Sequence, residues 1–89
     1  MNSLDRKEIA PLVIGIIRRT AGRHFDLEEG DHLFEDLRMG PPIRRALAKP
    51  FSRLSDEHGG QTISLDEAER LRTVGESIDL VFRRANGRD

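Results

Sequence analysis

The sequence predicts an all-α fold: a bundle of four helices with a long loop between helices 1 and 2 and a short third helix. Three observations lead there. Apolar residues recur at helical spacing in separate segments, 9–17, 43–54 and 78–82. Capping phrases stand ahead of the first, third and fourth helices. No segment alternates polar and apolar residues well enough to read as a strand. A chain of 89 residues forms one domain, 1–89, with an ordered core of about 5–84.

The first helix opens at Asp5, the N-cap, with Glu8 three residues on as its reciprocal partner. Ile9, Val13, Ile16 and Ile17 form its apolar face. Pro11 interrupts, so the helix either bends there or begins its regular part there. Arg18, Arg19 and Arg23 suit the negative pole of the helix, and Ala21-Gly22 ends it. From His24 to Leu37 the chain is a long loop. Phe25, Leu27, Leu33, Phe34 and Leu37 are expected to pin it across the helix ends. Asp26, Glu28, Glu29, Asp31, Glu35 and Asp36 are expected to face water, and 34–37 to form a short helical turn.

Pro41-Pro42 opens the second helix, with Pro42 the better first residue. Ile43, Ala46, Leu47 and Leu54 continue its apolar side. Pro50 predicts a bend or break at about Lys49. Gly59 is the natural left-handed residue after its end. Ser64 and Glu67 form a capping box for a brief third helix. Thr73 and Glu76 repeat the device for the last one, whose stripe is Ile78, Val81 and Phe82. Residues 86–89 should fray.

Composition narrows the chemistry. There is no cysteine, so disulfides and thiolate metal sites are excluded. His24, His32 and His58 are scattered, and the loop acids lack the order of a calcium loop. No metal or cofactor is expected from these residues. The longest apolar run, Leu12 to Ile17, is too short to span a bilayer. The first eight residues lack a secretory signal's order, so a cytoplasmic, monomeric protein is expected. Net charge is only −1, but the signs segregate. Between Arg38 and Arg53 there are five basic residues (Arg38, Arg44, Arg45, Lys49, Arg53) and no acid.

Two phrases carry a family resemblance. Phe34-Glu35-Asp36-Leu37 is similar to the segment that precedes the modified serine of acyl carrier proteins. The run from Ile63 to Ile78 resembles the third helix and the Thr-Val opening of the fourth in that family. The resemblance spans roughly Asp5 to Phe82. It implies a four-helix carrier in fatty-acid or polyketide biosynthesis, with 4′-phosphopantetheine on a serine at the head of helix 2. This sequence departs there. Pro41 stands where the serine belongs and Gly40 where an aspartate belongs. Counting back from Ile63 instead puts the match near Arg45. No Ser, Thr, Tyr or Cys lies between Leu37 and Phe51. Ser52 and Ser55 are the nearest hydroxyls, either as alternative attachment points or as solvated positions late in the helix.

The second departure is charge. The family's second helix is typically acidic, whereas this one is basic. The expected function is therefore an acyl-carrier-like protein without a prosthetic group, serving as an interaction or accessory module and not as an enzyme. Its contact residues would be Arg38, Met39, Ile43, Arg44, Arg45, Lys49 and Arg53, facing a protein partner with an acidic surface. The competing expectation is that these cations balance the acidic loop, or, with Met39 and Ile43, only close the core. The first alternative is a working carrier modified at Ser52 or Ser55. The second is a nucleic-acid-binding helix, which the low overall charge disfavours.

Overall fold

The computed structural model describes residues 5–22 and 26–86. Arg23, His24 and Phe25, and the predicted fraying at 87–89, lie outside the described residues. Five helices follow in order: α1 (Arg6–Ala21), α2 (Pro41–Arg45), α3 (Ala48–Glu57), α4 (Leu65–Glu69) and α5 (Val74–Ala85). The predicted second helix is split into α2 and α3, and the rest of the predicted order stands. Among the described residues there is no strand, only an isolated bridge between His32 and Thr73.

Local rules explain most boundaries. Glu8 accepts the Asp5 N–H at 2.9 Å, as a capping residue should. Pro11 is not the start of α1. It sits inside a helix that runs unbroken from Arg6 to Ala21. Gly22 ends α1 at φ 71°, with its N–H on the Arg18 carbonyl. At α2, Gly40 is the N-cap, so Pro41 and not Pro42 takes the first helical position. The break falls at Ala46-Leu47 and not at Lys49. Pro50 is thereby the third residue of α3, within the first turn, where its missing N–H costs no helical bond.

The end of α3 is a Schellman motif. Gly59, at φ 78°, donates to the Asp56 carbonyl at 3.0 Å, and Gly60 donates to Ser55 at 2.9 Å. Both predicted caps of the later helices form: Glu67 N–H on Ser64 Oγ and Glu76 N–H on Thr73 Oγ1, each at 3.1 Å. Glu67 reciprocates to Ser64. Glu76 does not reciprocate to Thr73; its carboxylate takes the Arg72 N–H and guanidinium instead.

α1 and α3 both pack along α5, while α2 packs against α4. One core joins them, with Ile9, Val13, Ile17, Leu33, Leu47, Phe51, Val74, Ile78 and Val81 all at 0 % exposure. The loop before α2 is part of this frame. The first N–H groups of α5 donate to it: Val74 to the Asp31 carbonyl and Gly75 to the Glu29 carbonyl. Leu33 N–H returns a bond to the Arg72 carbonyl. Arg6 then ties α1 to this junction, with a two-pronged pair to Glu29 and a 2.6 Å bond to Asp79 on α5. The loop acids thus face water largely as expected, but Glu29 also serves as a clasp, and Arg6 holds its carboxyl below the usual carboxylate range.

A second clasp joins α4 to the end of α5. Arg84 pairs with Glu67 and also reaches the Thr62 carbonyl. Arg84, helped by the Ser64 N–H, holds the Glu67 carboxyl down at about 2, against an ordinary value of 4.5. A carboxyl lowered by folding stabilises the fold above its unfolded value and loses that contribution as pH falls toward its folded value. Stability is therefore expected to drop between pH 4.5 and about 2, by about 1 to 3 kcal/mol from this group. Urea titrations across that range should show a shallower slope in Glu67→Gln than in the wild type. Equal slopes would assign the acid sensitivity elsewhere.

Candidate functional site

The residues that were expected to make a contact surface divide into three groups. Met39 belongs to the interior, at 1 % exposure, which corrects its expected place among the contact residues. The reason lies one residue earlier. Arg38 adopts a left-handed φ of 60°, closing a turn in which its N–H meets the Phe34 carbonyl and the Met39 N–H meets Leu33. That reversal points the Met39 side chain inward.

Arg44 and Arg45 form the second group. Both are half-buried and anchored on α4. Arg44 donates to the Glu69 carbonyl at 2.9 Å and the Met39 carbonyl at 2.7 Å. Arg45 pairs with the Glu69 carboxylate at 2.9 Å and lies 3.6 Å from Asp66. The basic segment is therefore balanced partly by the acids of α4, and not by the adjoining acidic loop. Sequence proximity misleads here, because α2 packs on α4 while the loop turns toward α5.

Arg38, Lys49 and Arg53 make up the third group. They are exposed, and among the described residues their side chains have no ion pair. Lys49 and Arg53 lie one turn apart on the outer side of α3. Ile43, on α2, is 42 % exposed. Phe34 is 53 % exposed and does not pin the loop; Leu27, Leu33 and Leu37 do that. The 34–37 stretch is a wound turn and not a helix. The Arg44 guanidinium carbon stands 5.8 Å from the centre of the Phe34 ring, within cation–π range.

Pro41 is exposed at the first position of α2 and offers no nucleophile. Pro41 and Pro42 also remove two of the N–H groups that a helix start would present to a phosphate. The alternative serines are not the solvated positions that the sequence suggested. Ser55 is fully buried and its Oγ donates to the Gln61 carbonyl at 2.7 Å. Ser52 Oγ donates to the Ile63 carbonyl at 3.0 Å and accepts the Ile63 N–H at 2.8 Å. Both hydroxyls hold the α3–α4 connection against α3. Modification of Ser55 would require that connection to open.

Sequence reasoning missed an open pocket of about 380 Å³ between the wound turn and α4. Its lining brings Phe34 and Arg44 together with His32, Arg70 and Arg72. The signal was faint, because these residues are dispersed over 32–72 and backbone pairing around His32 and Thr73, which the sequence does not announce, draws the two stretches together. Among the described residues no group of three His, Asp or Glu side chains is placed to hold a metal ion, and no helix is long and apolar enough to cross a membrane. Comparison with family models, curated proteins and solved structures finds no match to this chain.

Proposed function

We propose that this chain is an acyl-carrier-like scaffold without a prosthetic arm. It acts as a protein-interaction or accessory module beside lipid- or polyketide-type biosynthesis in the cytoplasm, and no catalytic role is assigned to it. One observation carries the reading. Pro41 heads α2 where the family resemblance would put an attachment serine, and the next two hydroxyls along the chain, Ser52 and Ser55, are engaged by backbone. The partner is a protein with an acidic surface, met by Arg38, Lys49 and Arg53 with Ile43 as the apolar contact. These are the exposed cations of the basic segment, and among the described residues none of the three is in an ion pair. Exposed charges of this kind steer encounter more than they add affinity.

Intact-mass measurement after co-expression with a phosphopantetheinyl transferase tests the reading. Wild type, Ser52→Ala and Ser55→Ala are all expected to keep their unmodified mass. A phosphopantetheine increment in the wild type that Ser52→Ala removes would instead establish a divergent working carrier.

A further inference from the structure

The pocket between the wound turn and α4 has a charge balance that its residue types alone do not show. Its acid, Glu69, already pairs through its carboxylate with Arg45 at 2.9 Å. Arg72 is likewise spent on Glu76 at 2.9 Å. Arg44 is different. Its bonds go to two backbone carbonyls, which fix the guanidinium without cancelling its charge. Arg70 is exposed, and among the described residues its side chain has no ion pair or hydrogen bond. Two uncompensated guanidinium groups therefore line one pocket, and one of them is already held in place.

Two further features mark the pocket as more than a solvated basic surface. His32 Nδ1 is buried and has no hydrogen-bond partner. Buried polar atoms are nearly always satisfied, so an orphan on a residue that lines the pocket sets this region apart from ordinary surface. Phe34, with half its surface exposed, and Leu71 supply apolar walls. An exposed aromatic ring costs the chain apolar surface in water unless something covers it.

We infer that this pocket binds a small aromatic carboxylate. The carboxylate sits against Arg44 and Arg70, the guanidinium fork matching its two oxygens. The aromatic body packs against Phe34 and Leu71. This site is independent of the protein-docking reading, which uses Arg38, Lys49 and Arg53.

The test is a titration of the full chain with 1-naphthoate, followed by amide NMR shifts. Saturable shifts are expected at residues 32, 34, 70 and 71. Arg70→Gln and Phe34→Ala, both at exposed positions, should each weaken binding about fivefold while leaving the rest of the spectrum in place. Neutral 1-naphthamide should bind about tenfold more weakly than naphthoate. Equal binding of naphthamide would remove the anion assignment. Shifts confined to the α1–α3 face, or none at millimolar naphthoate, would overturn the site itself. The mass experiment above is unaffected by either result, so the two readings fail separately.

Discussion

Replacing Gly60 with alanine is expected to cost about 3 kcal/mol or more, enough to shift the urea midpoint by more than any surface substitution. A Cβ at this position would lie 2.0 Å from the Arg84 carbonyl and 2.6 Å from the Ala85 Cα. Both are backbone atoms of α5, which cannot rotate away as a side-chain tip could. Relief would require the α3–α4 connection to lift from α5. That would break the Gln61 N–H bond to Arg84 at 3.0 Å and strand the buried Ser55 hydroxyl, whose acceptor is Gln61. Gly59→Ala is the internal comparison. Gly59 sits at φ 78° with open space around its missing Cβ. Its substitution carries only the left-handed penalty, about 1 kcal/mol. Urea unfolding followed by far-UV circular dichroism would check both. Equal losses for the two glycines would show that the connection is loose, and would weaken the argument that Ser55 is held away from modification.

The same connection shows what a sequence reveals and what it does not. His58-Gly59-Gly60 is a readable helix stop, because the left-handed requirement is local to Gly59. The reason for Gly60 is a contact with residues 84 and 85, and nothing local announces it. The capping boxes at Ser64 and Asp5 were likewise legible, since each partner lies three residues away. Glu76 broke the pattern only because Arg72 offers both a backbone N–H and a guanidinium. At the candidate site the balance reverses. The paired prolines that open α2 and the basic run are plain in the sequence. Which cations remain available depends on α2 packing against α4, a tertiary fact that assigns Arg45 to Glu69 and leaves Lys49 and Arg53 outside. Met39 reads as an exposed neighbour of two prolines until the left-handed Arg38 turns it inward. A left-handed arginine has no sequence signal comparable to glycine's.

Phe51→Ala is expected to be the most damaging truncation of an aromatic side chain, at about 3 to 5 kcal/mol. A domain of this length has total stability of about 4 to 13 kcal/mol, so much of the population could unfold. Phe51 is 0 % exposed at the centre of α3, where α3 packs along α5, and its removal leaves a cavity that backbone helices cannot close. Phe82 is half-buried at the edge of the same core, and its truncation should cost about half as much. Phe34→Ala should change stability by about 1 kcal/mol at most, the scale of its contact with Arg44. The same substitution at three positions thus separates interior packing from binding. Stability should fall in the order Phe34, Phe82, Phe51, whereas naphthoate affinity should respond to Phe34 and leave Phe82 near wild type. If Phe34→Ala destabilised the fold as much as Phe82→Ala, the ring would be a structural element of the loop. Its exposure could then no longer be read as surface kept for a ligand.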